Sequence, residues 1–250
     1  MTNLKTTEEI EIMKEGGRRL RIVVRELMQH VSVGMETREI DRQAEELIIK
    51  QGGEPSFKKV PGYRWTTCLP INEQVVHTPP SSRILKVGDV LTIDIGMYYK
   101  GFHTDYADTI IVGQGTDKKI NRFLEAGKKA LYKAIDQARV GQRLGHISQV
   151  IEKEIYGNGY KILKDLTGHG IGRNLHEDPY VLGFLDKPVE KTIPIRSGLV
   201  IAVEVIYSMG AEKFNHETGE EWSVITSDKS LSACFEHTVA ITDKETMVLT

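Results

Sequence analysis

The sequence predicts an α+β fold made of two similar halves, and three observations carry that expectation. A helix-like segment recurs at a fixed offset, a strand-like segment bearing one carboxylate recurs at nearly the same offset, and each half runs helices first and strands second. Around Gly34 the chain reads VSVGMETREIDRQAEELIIKQGG, and around Gly141 it reads ARVGQRLGHISQVIEKEIYGNG. Both place an Ile six residues after the Gly, at Ile40 and Ile147, and a second Gly eighteen after it, at Gly52 and Gly159. The copies lie 107 residues apart. Further on, VGDVLTIDIG sets Asp94 six residues after Gly88 and SGLVIAVEVI sets Glu204 six after Gly198, an offset of 110. Helices covering one face of a shared, curved, mostly antiparallel sheet suit this order best.

Each element has a local reason. The first helix opens at Thr6-Thr7-Glu8-Glu9, which has capping-box spacing, and Ile10, Met13, Leu20, Val24 and Leu27 keep the three-to-four spacing of one helical face. Ile120, Phe123, Leu131 and Ala134 do the same in the second half. The two Gly-bounded repeats supply a second helix to each half. Strands follow as apolar, β-branched runs around Asp94 and Glu204, each succeeded by another carboxylate with a strand-like tail: Asp105 before YADTIIV and Glu236 before HTVAIT. No low-complexity stretch or linker divides the halves. Residues 1–250 are therefore expected to form one domain, with pseudo-repeats at about 6–112 and 116–250, and a site is expected at the middle of that symmetry.

Composition excludes several classes. The net charge is −2 and aromatics make up 7%, which provides neither a basic nucleic-acid groove nor a membrane-binding stripe. No apolar run reaches the roughly 18 residues of a membrane span, and MTNLKTTEEIEIMKEGG lacks the apolar block of a secretory signal. Cys68 and Cys234 cannot build a disulfide framework, and a reducing cytoplasm fits them.

The carboxylates point to a cation. A hairpin turning at Tyr99-Lys100 would pair residue 98 with 101 and Asp94 with Asp105. Directly opposed side chains lie about 4.5–5.5 Å apart. Two like charges buried that close among apolar neighbours are destabilising unless one is protonated or a cation lies between them. Glu204 and Glu236 supply a matching pair from the other half. Oxygen-rich ligands joined by an imidazole suit divalent manganese, iron, cobalt or zinc, and bridging carboxylates hold two ions about 3.5–4 Å apart. His169, between glycines in TGHGIG, is the leading imidazole, because glycine lets backbone and ligand approach closely. His176 in LHEDP and His77 in NEQVVHTPP are further candidates. Cysteine nucleophilic catalysis is weaker, since neither Cys68 nor Cys234 shows a pairing with His, and His103 and His237 read as orienting or structural residues.

The segments CLPINEQVVH, TIDIG, GFHTD, TGHGIGRNLHEDP, VIAVEVI and SLSACFEHT, in this order and spacing, resemble those of the type I methionine aminopeptidases. The likeness covers essentially the whole chain and implies their pita-bread fold, with residues 1–250 as the catalytic domain. It implies two divalent metal ions (cobalt, manganese, iron, zinc or nickel) held by Asp94, Asp105, His169, Glu204 and Glu236, with Asp105 and Glu236 bridging. A water made acidic by the metals would be the nucleophile, and Glu204 would help take its proton. His176 would hydrogen-bond the scissile carbonyl, His77 would contact the leaving amide nitrogen, and Tyr63, Cys68 and Trp222 would line the methionine pocket. The implied setting is cytoplasmic, with nascent polypeptide N-termini as substrates, ribosome association, no direct nucleic-acid or membrane partner, and a monomeric enzyme.

The chain departs from the family pattern at four places. Thr78, followed by Pro79-Pro80, replaces the usual Gly after His77; Leu175 replaces an aromatic before His176; Val205 replaces a Pro after Glu204; and Val60 stands where an aromatic is frequent. None is a ligand position, so selectivity is less secure than hydrolysis. Two rivals follow. An Xaa-Pro peptidase shares the ligand set but normally adds an N-terminal domain for which there is no room before Asp94; a non-catalytic binding module on the same scaffold would have lost its ligands.

Overall fold

Helix α1 (Thr7–His30) starts where the sequence places it. In the computed structural model, which describes residues 3–114 and 117–250, the Thr6 hydroxyl accepts the Glu9 amide and the Glu9 carboxylate accepts the Thr6 amide. Ile10, Met13, Leu20, Val24 and Leu27 are all buried. Helix α2 (Thr37–Lys50) follows, then β1 (Glu54–Pro55), β2 (Thr67–Cys68), β3 (Val90–Tyr99) and β4 (Phe102–Ile111). The second half repeats this order with α3 (Lys118–Ile135) and α4 (Leu144–Gly157), then β5 (Lys161–Ile162), β6 (Gly168–Gly170), β7 (Glu177–Val181) and β8 (Val200–Ser208). The chain closes with β9 (Phe214–His216), β10 (Val224–Thr226), β11 (Ser232–Ile241) and β12 (Thr246–Val248). Helices α2 and α4 are both 14 residues long, and the repeat pairs Gly34/Gly141, Gly52/Gly159 and Gly88/Gly198 all sit at positive φ. The duplication read from spacing is thus also a duplication of backbone conformation. Asp117 caps α3 by accepting the Lys119 and Ile120 amides, a signal the sequence reading passed over.

One antiparallel sheet runs β1-β3-β4-β11-β8-β6-β7, with β2 against β3, β5 against β8 and β12 against β11. Its centre is β3-β4-β11-β8, one long pair from each half. Alternation along these strands divides two environments. Leu91, Ile93, Ile95 and Met97 pack with α1 and α2 residues such as Leu20, Val23 and Ile40, while Val203, Val205, Tyr207 and Phe235 pack with α3 and α4 residues such as Phe123, Ile147 and Ile151. The alternate residues, Asp94, Asp105, Glu204 and Glu236 among them, face away from the helices.

The β3–β4 register differs from the expected one. Asp94 pairs with Ala107 and Gly96 with Asp105, so the two aspartates are diagonal neighbours instead of opposed. The turn is Lys100-Gly101, with φ of 47° and 92°, the positive-φ pair of a type I′ hairpin, whose second position glycine fills without steric cost. The shift is two residues. Side chains alternate with period two, so both aspartates stay on the expected face.

At the β4–β11 seam, direct pairing is confined to Ala107–Glu236 and Tyr106–His237. To one side the Thr238 hydroxyl accepts the Asp105 amide and donates to the Asp105 carbonyl, at 2.8 and 2.9 Å. To the other, the Thr109 hydroxyl does the same for Cys234, at 3.1 and 2.7 Å. Two threonine hydroxyls therefore stand in for ladder hydrogen bonds where the halves meet. No helix of the described residues is long and apolar enough to cross a membrane.

Gly17 tests the packing of α1. A Cβ there would stand inside contact distance of the Leu249 carbonyl, which is backbone and cannot swing aside. Gly17→Ala should gain roughly 1 kcal/mol of helix propensity and lose about 1–3 kcal/mol to overpacking, for a net destabilisation. Urea unfolding measures the difference; a variant more stable than the parent would contradict the packing.

Candidate metal centre

The register assembles the ligands. Asp94, Ala107, Glu236 and Glu204 occupy one row across β3, β4, β11 and β8. Asp105 lies two residues along β4 from Ala107, and His169 on β6 pairs with Ala202, two residues from Glu204. Four strands of the two halves and one short neighbouring strand thus direct five side chains to one patch. Ligand atoms of Asp105, His169 and Glu236, all buried, lie within 4.8 Å of one another, and His169 Nε2 is 3.4 Å from Glu204 Oε1.

The electrostatics show what such a patch requires. Burial first, then the Asp105 charge, pushes Asp94, Glu204 and Glu236 well above the ordinary carboxylate range. Burial raises Asp105 to about 7, against the opposing effect of the Tyr106 amide. Desolvation lowers His169 to about 3, with nearby His176 adding to it. The His169 Nδ1–H donates to the Gly170 carbonyl at 2.9 Å, leaving the Nε2 lone pair directed at the carboxylates, the tautomer a metal-binding histidine needs. Glu236 Oε1 is buried and lacks a hydrogen-bond partner among the described residues. Clustered carboxylates, a neutral imidazole aimed at them and an orphaned carboxylate oxygen all fit a divalent cation.

The patch opens into a cavity of about 400 Å³. His77 and His176 line it and are open to solvent. Both are surrounded closely enough for desolvation to lower their pKa, His77 to about 4. The rings of His169 and His176 meet edge to face at 4.5 Å. His77 has a φ of 57°, an uncommon conformation for a residue with a Cβ. Phe57, Val60, Tyr63, Cys68, Leu175 and Trp222 form an apolar wall. Tyr63 stands edge-on to Trp222 at 5.2 Å and donates its hydroxyl to the Thr67 carbonyl at 2.8 Å. Asp41 on α2 fixes that segment by accepting the Thr66 amide and both the amide and hydroxyl of Thr67. Cys68 opposes Asp94 across the β2–β3 ladder, and its sulfur accepts from the Tyr63 hydroxyl at 3.1 Å.

All ten residues to which the resemblance gives a ligand, catalytic or pocket role border this one cavity. Of the departures, Val60 and Leu175 line it, whereas Val205 points into the helix-side core and cannot touch a substrate. His237 is also on the helix side, against Tyr132 and Tyr106, while His103 bonds Ser56 at 2.6 Å. Spacing did not reveal Asp165, Leu166, Thr167 and Tyr180 at the rim; Tyr180, an exposed aromatic on a strand, is the one that carried a signal. Cys234, the other cysteine weighed as a nucleophile, also lines the cavity. Burial raises its pKa, which keeps it an unreactive thiol.

The match to metallopeptidase family M24 spans residues 11–243. The chain belongs to that family. Among curated members, this M24 metallopeptidase is 38% identical over 246 residues to methionine aminopeptidase 1 of Bacillus subtilis, covering 98% of each chain. It is 37% identical over 246 residues to the methionine aminopeptidase of Borreliella burgdorferi, covering 98% of this chain and 97% of the other. A solved methionine aminopeptidase from Thermotoga maritima superposes with a TM-score of 0.95 at 33% identity, covering 100% of this chain and 99% of that one. A prolidase from Pyrococcus furiosus superposes at 0.77 with 23% identity, covering 99% of this chain but 65% of that longer one; this likeness bears on the fold alone. The architecture is the pita-bread fold, and the chain is a hydrolase.

Two outcomes test the centre. Asp105→Ala and Glu236→Ala should each abolish metal retention, read by metal analysis after desalting; near-normal metal content in either would remove that residue from the ligand set. The second test is pH dependence after metal removal. Below the ordinary aspartate value of 3.8, folded and unfolded chains both hold the Asp105 proton; between 3.8 and about 7 only the fold keeps it, so stability falls as pH rises. The chelated protein should melt at progressively lower temperature across that window, and a divalent cation should reverse the trend. A flat melting temperature would contradict the burial of the Asp105 carboxyl.

Proposed function

We propose that this enzyme removes the N-terminal methionine from nascent proteins and peptides in the cytoplasm, acting as a monomer with two divalent ions. The observation that carries the reading is the buried carboxylate–imidazole patch opening directly onto an apolar wall that includes Tyr63, Cys68 and Trp222. Such a wall rewards an unbranched, polarizable thioether. The full-length relatives named methionine aminopeptidase support the same substrate.

Asp94, Asp105, His169, Glu204 and Glu236 would hold the ions. When bound, the ions supply Lewis-acid chemistry, making an attacking water acidic enough to react near neutral pH. Glu204, facing the same patch from β8, would take that water's proton. His176 would donate to the scissile carbonyl oxygen as charge builds there, and His77 would contact the leaving nitrogen. Glu177, next in the chain to His176, is tied by Lys5 Nζ at 2.6 Å and by the Asn174 amide at 3.1 Å, which fixes the backbone carrying His176. The cobalt, manganese, iron, zinc or nickel identity of the ions is a matter for metal replacement. Two free, buried cysteines accord with a reducing compartment.

Metal-loaded enzyme should cleave Met-Ala-Ser faster than an Ala-Pro peptide; the reverse order would favour the Xaa-Pro reading. Protein that takes up no added manganese or cobalt would favour the binding module. His176→Ala should lower kcat about a hundredfold or more, as losing one oxyanion donor does, while KM changes less, because its hydrogen bond strengthens in the transition state. An unchanged kcat would remove His176 from the mechanism.

A further inference from the structure

Thr78 follows His77, yet its side chain is turned away from the cavity. Its hydroxyl lies 2.8 Å from Ser223 Oγ, and Ser223 Oγ donates to Glu217 Oε2 at 2.6 Å. Glu217 Oε2 also accepts Gln74 Nε2 at 2.7 Å. Because the single Ser223 proton goes to the carboxylate, Thr78 is the donor in the first bond. Thr78 and Ser223 are buried, Ser223 completely, so water does not compete for these partners. One hydroxyl thus links the residue after His77 to the residue after Trp222. These are the two ends of the site: the histidine placed at the leaving nitrogen and the indole placed in the methionine pocket. Backbone bonds from Val75 to the Val224 carbonyl and from Thr226 to the Glu73 carbonyl already dock this loop on the β9–β10 hairpin. The Thr78 tie is therefore not needed to hold the two segments together.

We infer that Thr78 is a positioning residue that, through Ser223 and Glu217, couples the seating of the substrate side chain against Trp222 to the alignment of His77. The inference rests on the proposed methionine aminopeptidase activity. His77 has a positive φ, so its backbone is not in its most comfortable well and relies on its surroundings for its set. A displacement of the indole wall moves Ser223, and the Thr78–Ser223 hydrogen bond passes that movement on, while the charge-assisted bond to Glu217 keeps the Ser223 oxygen turned to accept from Thr78. With Gly at position 78 there would be no such path.

Thr78→Val keeps the side chain's shape and removes its donor; Thr78→Ser keeps the donor. On metal-loaded enzyme, Thr78→Val should lower kcat for Met-Ala-Ser about fivefold, the effect of one lost hydrogen bond, with KM little changed. Thr78→Ser should restore kcat. Ser223→Ala should reproduce the loss, and the double variant Thr78→Val/Ser223→Ala should be no worse than either single, as expected for one path. A purely structural role would lower the melting temperature of both variants without the kcat-specific loss or the serine rescue. An unchanged kcat, a loss confined to KM, or additive losses overturn the proposal while the wild type still releases methionine. A wild type that releases no methionine overturns the functional reading and this proposal with it.

Discussion

Four carboxylates brought onto one patch of a sheet, away from bulk water, repel one another and resist ionisation. That repulsion governs the rest of the structure. Asp94, Asp105, Glu204 and Glu236 are held together because they sit in the middle of a ten-stranded sheet, where each strand is fixed by neighbours on both sides and by helices beneath. Burial drives all four pKa values upward, and the Asp105 charge adds to it for Asp94, Glu204 and Glu236. A divalent cation removes the conflict, since it favours the ionised form and satisfies oxygens such as Glu236 Oε1 that find no donor among the described residues. The apolar framework creates the repulsion, and ligand binding resolves it.

The duplicated architecture explains how a chain places charge so deep. Each half contributes a pair of helices and a pair of long strands, and the helix-side cores of the two halves are separate clusters. Only the other face of the sheet is shared, and the carboxylates lie at the join. There the ladder between β4 and β11 is pried apart by Thr109 and Thr238, whose hydroxyls replace backbone partners. Thr238 holds both the amide and the carbonyl of Asp105, so the seam that joins the halves also sets a ligand. Around this centre, polar ties reach in from outside the sheet: Asp41 to Thr66 and Thr67, Lys5 to Glu177, and Glu217 through Ser223 to Thr78. Each holds a residue next in the chain to a cavity residue: Thr67 before Cys68, Glu177 after His176 and Thr78 after His77.

Much of this was legible in residue order because the signals were periodic. Apolar spacing located α1 and its buried face, the Thr6–Glu9 pair marked its start, and the Gly34/Gly141 repeat located α2 and α4. Strand parity placed Asp94 and Asp105 on one face, since a period of two survives a register error of two residues, and the repeat supplied Glu204 and Glu236 as the matching pair. For that reason the β3–β4 turn could be assigned one position early while the face stayed right. The error arose from weighing Tyr99-Lys100 without the φ requirement that Gly101 meets.

What the sequence by itself determined is local: helix starts, alternation, the repeat, and the segments that identify a metallopeptidase. It could not determine side-chain partners far apart in the chain, because nothing in one segment records which other segment it will face. Only the tertiary structure decided that Val205 is core and Val60 is cavity wall, that His237 packs under the sheet, and that Thr78 reaches Ser223. Those outcomes depend on long-range packing, where a contact between residues 145 positions apart is settled by the geometry of every strand between them.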